Sequence, residues 1–184
     1  MPRINPIDHG SATGKAKDLL DGVKAQLGVV PNIFATFVQS PKVLEGFLAF
    51  NGALGQGLLS AQLREQIALT VAGANSCDYC ASAHTALGKG AGIASDELGR
   101  NLRGQSNDSA TQAVLAFVSK VVEQRGQVGD GAIDNLRAAN FTDGEIVEIV
   151  AHIGANLFTN YFNHIVGTEI DFPVVSATAT PQAA

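Results

Sequence analysis

The chain has no tryptophan, one methionine, two tyrosines and two cysteines in 184 residues. Two cysteines cannot make a disulfide-stapled scaffold, so stability has to come from packing. Charged residues are scarce at 16%, while hydrophobic residues reach 46%, which excludes a disordered chain. No cluster of lysine and arginine exceeds two or three residues over a short span, and the net charge is -5, so nothing recommends a nucleic-acid partner. Apolar runs are broken well before the ~18 residues that would span a membrane. The start, MPRINPIDHGSATGK, carries no apolar core like that of a signal peptide. We therefore expect a cytoplasmic protein with neither nucleic acid nor membrane as partner.

What is present has the helical period. Leu19, Leu20, Val23 and Leu27 predict a helix over about 16–27 that Gly28 ends. Pro31 opens a short turn, and Ser40-Pro41 caps a helix through Phe47 and Leu48. Ser60 caps a helix through Glu65 to about Ala74, and Ser76 is the expected N-cap of one from Cys77 to about Leu87, closed by Gly88, Gly90 and Gly92. A short helix from Ser95, a long one from Asp108 or Ser109 to about Arg125, and one over 130–139 follow. Thr142 to Glu145 has the form of a capping box, before a helix to about Phe162. No segment alternates with period two, so the fold class expected is all-α. We expect one helical domain over 1–175 and a disordered tail over 176–184. Gly73-Ala74-Asn75 recurs as Gly154-Ala155-Asn156, a faint echo that would fit a degenerate helix-pair repeat or chance.

Both cysteines lie in one stretch, EQIALTVAGANSCDYCASAH, as the pair Cys77 and Cys80. His84 follows four residues after Cys80, and Glu65 precedes Cys77 by twelve. At a helix start, unpaired backbone N–H groups and the helix dipole favour a thiolate. At ~100° per residue, Cys77, Cys80 and His84 share a stripe ~60° wide. An imidazole one turn beyond Cys80 can take its proton. Glu65 on the preceding helix can orient His84 and accept its proton if the two helices fold back around Asn75-Ser76. Redox chemistry leads among the readings of this pair in a reducing compartment. Zinc is the main rival, with two sulfurs, one imidazole and either Glu65 or a strained Asp78 to complete it. Inert buried thiols are the third. Tyr79, between the thiols, shields them, donates a hydrogen bond or simply packs. His9, His152 and His164 carry no comparable constellation.

Glu65, eleven residues, Cys77-x-x-Cys80, three residues and His84 resembles the core motif of the alkylhydroperoxidase D-like proteins, within the carboxymuconolactone decarboxylase superfamily. The resemblance is specific over about 40–95. It extends more loosely to Val30-Pro31-Asn32 near the start and to Asn156, Asn160, Asn163 and Asp171-Phe172-Pro173 near the close, which look like the peroxidase-related branch. It implies an all-helical homo-oligomer, commonly a trimer or hexamer, that reduces peroxides without haem, metal or flavin. It implies Cys80 as the thiolate that attacks the peroxide, Cys77 as the thiol that resolves the sulfenic acid, and Glu65 with His84 as the proton relay. The best-studied type has a second histidine immediately before the second cysteine, where this chain has Tyr79. The decarboxylase branch lacks the cysteine pair.

The function expected is therefore a thiol-dependent hydroperoxide reductase of antioxidant defence. Its partners would be a peroxide substrate and a dithiol reductant or partner redox protein, with no bound cofactor. The alternatives are a decarboxylase or lyase acting on a small lactone, and a metal-binding or redox-sensing oligomer. Apolar helix positions such as Phe158, Tyr161 and Phe162 are expected at subunit contacts.

Overall fold

The capping side chains Ser60, Asp108 and Thr142 stand where the sequence places them, whereas Ser40 makes no side-chain capping bond. Ser60 Oγ accepts the Leu63 N–H at 3.1 Å, and Asp108 accepts that of Thr111 at 2.8 Å. Thr142 and Glu145 make both bonds of a capping box, at 2.8 and 3.2 Å. In the computed structural model, which describes residues 1–178, the described residues form nine α-helices and no strand. They are α1 (Gly14–Leu27), α2 (Asn32–Phe37), α3 (Pro41–Leu54), α4 (Ala61–Ala74), α5 (Asp78–Gly90), α6 (Ser95–Asn101), α7 (Ser109–Glu123), α8 (Gly131–Ala138) and α9 (Asp143–Val166). None of them is long and apolar enough to cross a membrane. Of the tail expected over 176–184, residues 179–184 lie outside the described residues.

Several boundaries differ from those the sequence predicts, each for a local reason. Gly88 does not end α5. It lies inside the helix, because a Cβ there would come within 2.6 Å of Leu98 Cδ2, so the glycine permits a close approach of α6. The actual stop is Gly92, with φ of 84°. α7 ends at Glu123 instead of Arg125, which takes a left-handed φ of 54° before Gly126 at 83°. α9 continues a turn past Phe162 to Val166.

The helices fall into two compact units. Residues 1–56 and 162–171 make the first. There α1, α2 and α3 pack on one another, and Phe37 is surrounded by Phe34, Phe47 and Phe162 at centroid distances of 6.2, 5.3 and 4.4 Å. Phe162, expected at a subunit contact, is thus half-buried against Phe37 of its own chain. Asp171 accepts the Asn32 N–H at 2.7 Å, and the Asn32 amide donates to the Glu169 carbonyl at 3.0 Å. Arg3 donates to the carbonyls of His164 and Ile165, both at 2.7 Å, a cation on the exposed end of α9.

Residues 57–161 and 172–178 make the second unit, with α4 at its centre. α4 packs against α5, α6 and α7, and every residue from Gln66 to Ala72 is buried. Ile67 and Val71 enter a core with Val114 and Val118 of α7, Leu136 of α8 and Ile149 and Ile153 of α9. Leu69, on another face, packs with Ile93 and Leu98. A helix covered all round is a rigid place from which to aim a side chain. Glu148 of α9 anchors the entry to α4, accepting the N–H groups of Leu58 and Leu59 at 2.7 and 3.2 Å.

The matching glycines of the sequence echo sit in unlike surroundings. A Cβ at Gly73 would overlap the carbonyl oxygen of Leu102, whereas Gly154 has nothing within 4 Å. Gly73→Ala is therefore expected to lower stability by about 3 kcal/mol, the upper end for overpacking, because a backbone atom must move. Gly22→Ala, in an open part of α1, is expected to raise it by about 0.5–1 kcal/mol. Urea unfolding midpoints at constant m-value measure both.

Candidate functional site

The site is built where α4 ends and α5 begins. The Asn75 N–H reaches the Val71 carbonyl at 3.0 Å, and the Cys77 N–H turns back to the Ala72 carbonyl at 2.9 Å. Between them Ser76 takes a left-handed φ of 56°. That conformation removes Ser76 from the N-cap position the sequence assigned to it. Cys77 is the N-cap of α5 instead, and its Sγ accepts the Cys80 N–H at 3.3 Å. A sulfur in this position meets the positive end of the helix directly, which favours its anionic form. Cys77 and Cys80 are both buried and are not joined in a disulfide.

α5 then runs back along α4. The Gln62 amide near the start of α4 donates to the Ala91 carbonyl at the end of α5, at 3.1 Å. Midway between, His84 Nδ1 and Glu65 Oε2 are 2.8 Å apart, with side chains 22% and 20% exposed. The expected contact between these helices is therefore present, and it uses a defined nitrogen. With the carboxylate ionised, Nδ1–H is the donor, and a neutral His84 keeps Nε2 as its basic nitrogen. Cys80, one helical turn earlier, is on the neighbouring position of the same face.

The opposite face of α5 is held by residues 172–177. Phe172 meets the buried ring of Tyr79 edge-on at a centroid distance of 5.8 Å. Val175 N–H donates to Ser82 Oγ at 2.9 Å, and Ala177 N–H donates to Asp78 Oδ1 at 2.8 Å. Tyr79 thus packs, and Asp78 is engaged with the chain. Among the described residues no group of three His, Cys, Asp or Glu side chains is arranged to hold a metal ion.

The remaining histidines divide sharply. His9 pairs with Asp21 at 2.7 Å in α1's unit, and His164 is exposed. His152, passed over in the sequence, is buried on α9. Burial holds its pKa below the ordinary imidazole value, Arg64 pushes the same way, and the charges of Glu148 and Glu65 act against them. Asn156, a turn further along, donates to the His152 carbonyl at 2.8 Å. Asn160, another turn on, accepts from the Asn75 amide at 3.2 Å, so α9 also touches the turn that presents Cys77. The i, i+4, i+8 spacing of His152, Asn156 and Asn160 is the sequence signal that marks this polar stripe.

Two measurements follow from this geometry. Cys77→Ser keeps a capping acceptor, whereas Cys77→Ala removes it, so the alanine variant is expected to be less stable than the serine variant by about 1 kcal/mol in thermal unfolding. Burial lowers the His152 pKa in the folded chain, while in the unfolded chain the ring binds a proton below pH ~6.5. The unfolded state then holds more protons, and stability falls as pH drops below that value, by at most about 1.4 kcal/mol per pH unit from this group. His152→Gln is expected to flatten the acid slope of the unfolding free energy by up to that amount.

Residues 41–124 match the Carboxymuconolactone decarboxylase family. No curated protein sequence matches the chain. Among solved structures, the chain is similar to the alkylhydroperoxidase AhpD core of a peroxidase-related protein from Ralstonia eutropha, with 24% identity, a TM-score of 0.82 and 92% of each chain covered. It is also similar to a peroxidase-related protein from Silicibacter, with 23% identity, a TM-score of 0.79 and coverage of 90% of this chain and 91% of that one. A third similar structure is the debrominase Bmp8 in complex with 2,3,4-tribromopyrrole, at 19% identity and a TM-score of 0.77 over 91% of each chain. The chain thus has the all-helical fold of these alkylhydroperoxidase D-like structures, and its residues 41–124 resemble the Carboxymuconolactone decarboxylase family.

Proposed function

We propose that the protein is a thiol-dependent hydroperoxide reductase. The observation that carries this is the His84–Glu65 hydrogen bond, set one turn beyond a cysteine pair at a helix N-terminus. Cys80, on the His84 side, gives its proton to His84 Nε2, and Glu65 stabilises the imidazolium that results. The Cys80 thiolate attacks one peroxide oxygen, the O–O bond breaks, and the alkoxide leaves as alcohol with the proton from His84. Cys80 is then a sulfenic acid. Cys77, whose anion the helix N-terminus favours, attacks the Cys80 sulfur, the S–S bond forms, and hydroxide leaves as water on gaining a proton. An external dithiol returns the pair to thiols. The balance is ROOH plus dithiol giving ROH, water and disulfide, and every electron comes from sulfur.

The chemistry needs no bound cofactor. We place the reaction in the cytoplasm and in a homo-oligomer. The exposed stripe of Val147, Val150, Phe158, Tyr161 and Ile165 on α9 supports an assembly of copies.

A second electron acceptor has a specific reason to be tested. The likeness to the debrominase spans 91% of both chains, and a dithiol can equally supply the two electrons of a reductive dehalogenation.

The reduced protein, treated with a small excess of cumene hydroperoxide, is expected to lose both thiols and about two mass units on forming the disulfide. Cys80→Ser is expected to abolish peroxide consumption, and Cys77→Ser to stop at a sulfenic acid that dimedone traps. Glu65→Gln is expected to slow turnover by about a hundredfold. Full peroxide consumption by Cys80→Ser would sink the proposal. Bromide released from 2,3,4-tribromopyrrole faster than peroxide is consumed would move the reading to dehalogenation.

A further inference from the structure

Ser76 is exposed, yet it carries a left-handed φ of 56° that residues other than glycine rarely adopt. Such a residue persists where its surroundings hold the chain on both sides of it. On the α5 side the hold is plain. Ala177 N–H donates to Asp78 Oδ1 at 2.8 Å, and Phe172 meets the Tyr79 ring edge-on at 5.8 Å. On the α4 side the neighbour of Ser76 is Asn75, whose side-chain amide donates to Asn160 Oδ1 of α9 at 3.2 Å.

Asn160 is fully buried, and its amide nitrogen has no hydrogen-bond partner among the described residues. A buried donor left unpaired lowers stability, and a leucine of similar size would fill the same space without one. The amide is therefore explained by its oxygen, which meets the turn. That turn in its own right places a sulfur. Directly after Ser76, the Cys77 N–H closes back on the Ala72 carbonyl at 2.9 Å, and Cys77 Sγ accepts the Cys80 N–H at 3.3 Å. A change of backbone at Asn75 or Ser76 moves Cys77 Sγ off the helix N-terminus that favours its thiolate.

We propose that Asn160 is a positioning residue of the thiol site: its Oδ1 holds Asn75, and through Asn75 the left-handed turn at Ser76 that seats Cys77 Sγ at the start of α5. This rests on the proposed function's reading of Cys77 as the thiol whose anion the helix favours. Asn160 acts through Asn75 and not on a reacting atom. What it sets is the share of Cys77 present as thiolate at a given pH. It therefore bears on the resolving step, in which that thiolate attacks the Cys80 sulfur.

The test needs no peroxide. Cys80→Ser leaves Cys77 as the one thiol of the chain and keeps the backbone amide at position 80 that bonds it. The ultraviolet absorbance of the thiolate is followed against pH in this background, with Cys77→Ser/Cys80→Ser as the blank. Asn160→Leu and Asn75→Ala are each expected to raise the Cys77 midpoint by at least about half a pH unit. The two together are expected to raise it by no more than the larger single shift, because both remove the same bond. An unmoved midpoint in folded Asn160→Leu protein would overturn the proposal, and so would shifts that add, since the two residues would then act independently. If Asn160→Leu does not fold, Asn75→Ala, at a half-buried position, decides alone: a raised midpoint upholds the proposal and an unmoved one overturns it. The expected shifts in a protein whose intact cysteine pair peroxide fails to oxidise would overturn the peroxidase reading and uphold the Asn160–Asn75 link.

Discussion

The 2.8 Å bond between His84 and Glu65 constrains everything near it. It joins side chains nineteen residues apart, so α4 and α5 must reverse within the three residues between them and then stay in register for the length of α5. The reversal needs the left-handed Ser76, and the close pairing needs Gly88 within α5, where a side chain would collide with Leu98. The burial of α4 on all sides follows from the same demand, because a carboxylate that must meet one nitrogen is best carried by a helix that cannot shift.

That geometry gives the two cysteines different environments on one face. Cys77 is held by a backbone amide and the helix dipole, both fixed. Cys80 is a turn nearer to His84, whose Nδ1 is 2.8 Å from Glu65 Oε2. One sulfur meets a fixed backbone amide, and the other lies on the side of the His84 ring. Tyr79 between them packs edge-on against Phe172, where the best-studied type of the resembled family has a histidine.

Much of this was legible from residue order, because it depends on local chemistry. The caps at Ser60, Asp108 and Thr142 are side chain to backbone contacts three residues long, and the sequence predicts them correctly. The meeting of Glu65 and His84 followed from helical spacing once the reversal was assumed. What escaped is what depends on a second element. Ser76 and Cys77 are both fit to cap, and only the backbone angle of Ser76 chooses between them. Gly88 reads as a stop until α6 is seen against it. His152 looked like one histidine among four, because its burial depends on which way α9 is rotated against α4. The family motif located the thiols, Glu65 and His84, and the looser resemblance reached Asn156, Asn160 and Asn163 of α9 without His152.

The contacts of residues 172–177 with α5 have a kinetic side. Ser82 and Val175 are 93 residues apart, and Asp78 and Ala177 are 99 apart. Helices form in about a microsecond, whereas contacts across loops this long come late, since their closure entropy is lost before any contact compensates it. Closure of these contacts is therefore expected after the local hydrogen bonds of α5. Residues 172–177 thus fasten the face of α5 away from the thiols last, and the far end of the chain completes the seating of the helix that carries the pair.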